Sequence, residues 1–309
     1  MAYNLKEQMS KPERFAAGHR LCAGCGAGIT CRAMMRAVDP EDKAVICNAT
    51  SCLEVSSFQY PFTAWEDSYI HSAFENAAAT AAGVESAYRA MKKKGKIDGN
   101  YKILAIGGDG GTYDIGFQSL SGAMERGHDF TYFCYDNEAY MNTGTQRSSA
   151  TPRFASATTT PPGTESTGKK QNQKDLTRIM VAHGSPYVAQ TTFLGNFKDF
   201  HKKAHKAIYT EGPTFVNVLC PCPRGWRYSA EMLPEICRLA VETCVWPLYE
   251  VENGEYHLSY MPKKKLPVEE FMRPQGRFRH CFKPGNEWTI EAAQAWVDAR
   301  WEELLSLCI

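Results

Sequence analysis

Twelve of the 309 residues are cysteines, and Cys22-Ala23-Gly24-Cys25 is the spacing most able to do chemistry. Two thiols offered from one glycine-rich turn can grip a metal or cluster, which then needs two further ligands. The candidates are Cys52, in Asn48-Ala49-Thr50-Ser51-Cys52, and the Cys220-Pro221-Cys222 segment. On spacing alone a [4Fe–4S] cluster and a structural zinc stand level, and a redox dithiol or unrelated buried thiols remain as plainer readings. Cys31, Cys47, Cys134, Cys237, Cys244, Cys281 and Cys308 sit in apolar or helical contexts that suit core packing.

A second constellation is Gly107-Gly108-Asp109-Gly110-Gly111-Thr112. Amides of such a turn can cradle phosphate while the carboxylate binds a metal. Glycine runs alone are mostly plain turns, so the case rests on Asp136-Asn137 closing the next apolar run, Phe130-Thr131-Tyr132-Phe133-Cys134-Tyr135. Successive parallel strands bring their C-terminal ends to one sheet edge, and Asp109 and Asn137 are therefore expected to meet. An Asp carboxylate, an Asn carbonyl, a backbone carbonyl and two phosphate oxygens suit octahedral Mg²⁺. The spacing is not the G-x-G-x-x-G of a dinucleotide site.

Elements must hold these groups in place. Helix formers fill 72–93, with Ala77-Ala78-Ala79 as a small packing face, predicting one long and mostly buried helix. Tyr101-Lys102-Ile103-Leu104-Ala105-Ile106 reads as a strand, 115–126 as a helix and 130–135 as the next strand, a β-α-β unit. The glycine-rich turn at 18–26 leads into a helix from about Ile29. The polar stretch 148–174 predicts a long loop or lid burying little. Alternation resumes with helices at 176–183 and 196–210, strands at 187–190 and 214–219, and a helix at 229–243. Asn253-Gly254 marks a hairpin, the segment 263–283 is basic, and an amphipathic helix starts near Thr289.

Lys plus Arg number 35 against 34 Asp plus Glu, which removes the electrostatic footprint of a general nucleic-acid or membrane-surface binder. No apolar run approaches the roughly 18 residues of a membrane span. The first residues lack the apolar segment of an export signal, so reduced thiols and a cytoplasmic location are expected.

Asp109 with Asp136-Asn137-Glu138-Ala139-Tyr140-Met141-Asn142-Thr143-Gly144 resembles the magnesium-diphosphate motif of thiamine diphosphate enzymes. Adding His19-Arg20-Leu21-Cys22, Cys25-Gly26, Thr50-x-Cys52 and Cys220-Pro221-Cys222-Pro223-Arg224-Gly225-Trp226-Arg227, the chain resembles the beta subunit of 2-oxoacid:ferredoxin oxidoreductases, pyruvate:ferredoxin oxidoreductase above all, from about Gly18 to Asn253. The resemblance implies an α/β fold with a doubly wound, mainly parallel sheet of the thiamine-diphosphate-binding kind. It implies a cofactor domain at 1–245 and a C-terminal extension at 246–309 that packs on another subunit. By the same resemblance Cys22, Cys25, Cys52 and Cys222 hold a [4Fe–4S] cluster, and Asp109, Asn137 and the Ala139 carbonyl hold Mg²⁺. Thr50, Cys52, Gly108, Asp109, Gly110, Gly111, Asn137, Glu138, Ala139, Tyr140, Met141 and Asn142 surround thiamine diphosphate, and Asn142 faces the substrate. Where some members carry Glu after C-x-x-C-G, this chain has Ala27.

The activity so implied is oxidative decarboxylation of pyruvate to acetyl-coenzyme A, with electrons passing to ferredoxin. Partners would be an alpha-type subunit facing the aminopyrimidine and gamma- and delta-type subunits. Oxalate, 2-oxoglutarate and branched 2-oxo acids stay open as substrates. A non-redox thiamine lyase would not need four cysteines, and a zinc-stabilised binding module would not need Asp109 and Asn137 at adjoining strand ends. Lys169-Lys170 could approach a coenzyme A phosphate but reads first as a solvated loop pair. His19 could donate to a cluster sulfur or only pack. Arg273, Arg277, Arg279 and Lys283 read as a solvated face or a docking patch.

Overall fold

A computed structural model describes residues 4–308. Its main sheet runs through β1 (Lys43–Ala49), β2 (Ser68–Ser72), β3 (Tyr101–Gly108), β4 (Thr131–Asp136), β5 (Tyr187–Thr191), β6 (Thr214–Leu219), β7 (Tyr249–Glu252) and β8 (Glu255–Leu258). The spatial order is β8-β7-β5-β6-β4-β3-β1-β2. From β2 to β5 in this order neighbouring strands are parallel, and β7 runs antiparallel to both of its neighbours, β5 and β8.

Alternation along the strands divides the core into two layers. Ile46, Leu104, Ile106, Phe133 and Val216 face the helices Gly26–Met35 and Phe197–Tyr209. Cys47, Ile103, Ala105, Tyr132 and Phe215 face the helices Ala77–Lys93, Phe117–Glu125 and Glu287–Leu307. Successive strand residues point to opposite faces, so apolar side chains at both parities require cover on both sides. The expected doubly wound, mainly parallel architecture is present.

β1 leads outward to β2, whereas its neighbour β3 leads the other way to β4. Connections that diverge from adjacent parallel strands leave a crevice at their C-terminal ends. That crevice positions the candidate site.

Several elements differ from expectation. The first of these helices begins at Gly26, and 72–93 divides into the end of β2 and a helix from Ala77. Its packed face is Ala77, Ala78, Ala81, Ala82 and Glu85, with Ala79 turned outward. The 148–174 stretch has neither helix nor strand, yet Ala150, Phe154 and Ala155 are buried, and across it Phe154 N–H donates to Lys169 O while Lys169 N–H donates to Ala155 O. It is a packed wall, not a loose lid. Lys169, read as solvated, is 1% exposed and donates to the carbonyls of Ser149 and Thr151. Arg277, placed among a solvated group, is buried, while Arg273 and Arg279 are exposed.

Residues 246–309 contribute β7 and β8, turning at Asn253-Gly254 with both φ angles positive. β7 pairs with β5, and Val297, Trp301 and Leu304 of the final helix enter the same core as the sheet. Neither sheet nor core breaks at residue 245. Among the described residues no helix is long and apolar enough to cross a membrane.

Candidate functional site

Register aligns the ends of β1, β3 and β4: Cys47 lies beside Ala105, and Gly108 beside Tyr135. The segments that follow these strands line a cleft of about 300 Å³. Its walls are Thr50, Ser51 and Cys52, residues 108–111, and Asn137 with 139–143, joined by Phe74 and Tyr135. A Cβ on Gly110 would lie 2.4 Å from the Tyr140 ring, whose hydroxyl donates to the Gly110 carbonyl at 2.8 Å. Only glycine admits that approach.

Asp109 is 1% exposed at the floor. Burial raises its carboxyl to about 8, against the downward pull of the Ser148 hydroxyl at 2.5 Å and the Asn137 N–H at 3.3 Å. The Asn137 amide reaches toward two acceptors, Asp109 Oδ1 and the Ala139 carbonyl, and its nearer terminal atom is 2.9 Å from each. Which terminal atom is oxygen is an assignment. With nitrogen there, the amide donates to both. With oxygen there, it stands from each of the other two oxygens at the separation of adjacent corners in an octahedron of about 2.1 Å bonds. The donor set therefore fits Mg²⁺, one charged oxygen and two neutral ones.

Glu138 departs from the expected set. Its φ of 63° turns the side chain away from the cleft, to an ion pair with Arg277 at 2.5 Å and a hydrogen bond from Gln173 at 2.9 Å. The other eleven residues expected around the cofactor all line the cleft. Asn142, expected to face substrate, is exposed at the mouth, and its amide bonds to the Cys52 thiol.

The C-x-x-C turn docks on the end of β6. Gly26 N–H donates to Pro221 O at 3.2 Å, and a Cβ on Gly26 would lie 2.8 Å from the Cys220 carbonyl carbon. This brings Cys222, which caps the short helix Pro223–Trp226 and accepts from Gly225 N–H at 3.3 Å, beside the turn. Burial raises the Cys52 thiol to about 12, and Cys222, Cys25 and Cys22 each add to the rise. The thiols of Cys25 and Cys222 are likewise raised, by burial first and by their neighbours in the group. Three separate segments thus present four thiols within electrostatic reach of one another. Among the described residues no three Cys, His, Asp or Glu side chains converge as ligands of one ion. Cys220 instead lies in the core, 1% exposed. Of the seven cysteines assigned to packing, all but Cys308 are buried. His19 stacks on Phe15 at 5.1 Å.

A family model described as thiamine pyrophosphate enzyme, C-terminal TPP binding domain, matches residues 47–218, the span that builds this cleft. The pyruvate synthase subunit PorB of Methanocaldococcus jannaschii is 52% identical, over 95% of this chain and 97% of its own. The chain belongs to the PorB family of pyruvate synthase subunits. The ketoisovalerate oxidoreductase subunit VorB of Pyrococcus furiosus is 42% identical, over 98% and 97% of the two chains. Among solved structures, the 2-oxoglutarate:ferredoxin oxidoreductase from Magnetococcus marinus matches with a TM-score of 0.57 at 21% identity, over 73% of this chain and 79% of that one, a likeness of fold. The matched domain is one that binds thiamine diphosphate, and the residues lining the cleft lie within its span.

Sequence reasoning did not single out Ser148, which holds Asp109, nor Phe74, which closes the cleft. Ser148 opens a serine- and threonine-rich stretch in which nothing sets it apart, and Phe74 follows a strand too exposed to read.

Proposed function

We propose that this chain is the thiamine-diphosphate-binding subunit of a pyruvate:ferredoxin oxidoreductase. The assembly converts pyruvate and coenzyme A to acetyl-coenzyme A and CO₂. The observation that carries this reading is the joint wall of the cleft: the Asp109, Asn137 and Ala139 oxygens lie on one side, and Cys52 of the four-thiol group lies on the other.

Bound thiamine diphosphate supplies a carbon nucleophile and electron sink for decarboxylation, and a [4Fe–4S] cluster accepts electrons singly. The chain's residues do the placing. Asp109, Asn137 and the Ala139 carbonyl would hold Mg²⁺, and the amides of Gly110 and Gly111 would meet the diphosphate. Ser148 fixes the Asp109 carboxylate through Oδ2, leaving Oδ1 toward the Asn137 amide. The Thr50 hydroxyl donates to Ser72 O at 3.0 Å, fixing the turn that carries Cys52. Asn142, bonded to the Cys52 thiol, stands where substrate would reach both halves. Cys22, Cys25, Cys52 and Cys222 would hold the cluster. Four thiols drawn from three segments at the rim of the cleft suit a cluster that exchanges electrons with the cofactor beside it.

In this reading residues 1–245 carry the cofactors and 246–309 buttress them. The carboxylate that activates the aminopyrimidine belongs to an alpha-type partner, since Ala27 offers none. Gamma- and delta-type subunits and ferredoxin take the electrons onward. A general base must reach its proton, so the chain alone is inert.

The test is anaerobic purification of the chain, then viologen reduction with thiamine diphosphate, Mg²⁺, coenzyme A and either pyruvate or a branched 2-oxo acid. About four irons per chain, no turnover alone, and turnover with pyruvate on adding the partner subunits support the reading. Colourless, zinc-loaded protein, or sustained turnover by the isolated chain, would defeat it.

A further inference from the structure

Tyr228 follows the Cys222-bearing turn, its ring set against Trp226 with centroids 6.3 Å apart. The residue is 8% exposed, and its hydroxyl oxygen, fully enclosed, has no hydrogen-bond partner. A buried hydroxyl left unbonded costs about 1–3 kcal/mol, so such a group in a well-packed core calls for an explanation.

The surroundings narrow what is missing. Tyr228 packs in the cluster of side chains built on Trp226, Leu233, Ile236 and Cys237, with Cys222 at its margin. The ionisable groups near its hydroxyl are the thiols of Cys237, Cys222 and Cys25 and the guanidinium of Arg277. Arg277 stacks on the Trp226 ring at 3.7 Å and is already paired with Glu138. A guanidinium has donors and no acceptor, so it cannot take the hydroxyl proton. Sulfur is the remaining acceptor class, and none of the three thiols is close enough to serve.

We propose that the Tyr228 hydroxyl donates a hydrogen bond to a sulfur of the cluster held by Cys22, Cys25, Cys52 and Cys222, and so raises its reduction potential. The inference rests on the reading of those cysteines as cluster ligands. A hydrogen bond to cluster sulfur strengthens as the cluster gains negative charge, which favours the reduced state. Arg277, a buried cation on the same side, acts in the same direction. Tyr228 is a tuning residue for electron transfer, not a catalytic one.

The experiment uses the full chain, purified anaerobically, so that the cluster under test is the one bound to this chain. Iron per chain is measured first. Native protein without iron would overturn the cluster reading itself, and this inference with it. With about four irons present, the reduced cluster in D₂O is examined by pulsed electron-nuclear double resonance, and its midpoint is measured by redox titration. The expected results are an exchangeable deuteron coupled to the native cluster and its loss in Tyr228→Phe, which keeps the ring. With them comes about a tenfold shift of the reduction equilibrium toward the oxidised state, about 59 mV for one electron. Absence of any coupled deuteron in the native chain overturns the proposal without use of a variant. So does a Tyr228→Phe chain with four irons and an unchanged midpoint.

Discussion

Gly26→Ala should strip the chain of its iron while leaving the fold standing. The added Cβ would meet Cys220 C at 2.8 Å, Pro221 O at 2.9 Å and Pro221 N at 3.0 Å, all of them backbone atoms that cannot swing aside. Ordinary carbon contacts need about 3.5 Å, so the C-x-x-C turn and the end of β6 must part by roughly half an ångström. Overpacking of this kind costs about 1–3 kcal/mol. Loss of the 3.2 Å bond from Gly26 N–H to Pro221 O adds about 1 kcal/mol. Gly26 opens a helix, where alanine returns up to about 1 kcal/mol of propensity, so the net loss is about 1–3 kcal/mol. A domain stable by 5–15 kcal/mol survives that. Ligands that must hold position to about half an ångström do not. The assay pairs iron per chain with the urea midpoint of the metal-free protein. Gly83→Ala serves as control, because nothing lies within 4 Å of its Cβ and the mid-helix change should stabilise by about 0.5–1 kcal/mol. A Gly26→Ala chain with four irons and a native midpoint would refute the argument that this close approach assembles the thiol group.

Asp109→Ala should abolish calorimetric binding of thiamine diphosphate with Mg²⁺ and leave iron content near native, because it removes the charged oxygen of the cleft floor and touches no thiol; unchanged affinity would sink the site. Cys222→Ser should lose the cluster absorbance and iron whereas Cys220→Ser, altering a core side chain, should keep both; the reverse outcome would exchange the ligand assignment. Glu250 on β7 carries an acid-linked part of the stability. Burial opposes its charge, but the Tyr187 hydroxyl and then Lys202 and Lys206 outweigh burial and hold the carboxyl at about 2, below its ordinary 4.5. That contribution is full above pH 4.5 and is lost as pH falls through 2, on the order of 2 kcal/mol after screening at the exposed Lys202. Urea midpoints between pH 5 and 2 should fall less for Glu250→Gln than for the native chain, and equal slopes would dismiss the assignment.

The parts of the site legible in sequence were those carried by period and strand order. The apolar runs of β3 and β4 are unbroken, so Asp109 and Asn137 had to share an edge wherever the rest of the sheet lay. The Asn253-Gly254 hairpin was equally plain. β2 was not: Ser68–Ser72 lies at the sheet edge with no fully buried residue, so it carries no hydrophobic signal to set against the helix that follows. Lys169 and Arg277 misled for another reason. Each looks solvated because lysine and arginine usually are. Their partners, the Ser149 and Thr151 carbonyls and the Glu138 carboxylate, are brought to them only by the finished fold.

The Glu138–Arg277 pair also sets a clock. Glu138 emerges from the ribosome ahead of the 148–174 wall and of β7 and β8, while Arg277 follows all of them. At 5–20 residues per second the delay is on the order of ten seconds. Throughout that interval the carboxyl between Asn137 and Ala139 lacks its ion-pair partner, the largest of the influences that favour its charged form in the core. Burying it before then costs more, because only the weaker influences of Gln173 and Lys169 remain to offset the loss of water. A chain cut short before Arg277 would contain every strand of the main sheet and still lack the charge that Glu138 meets in the core.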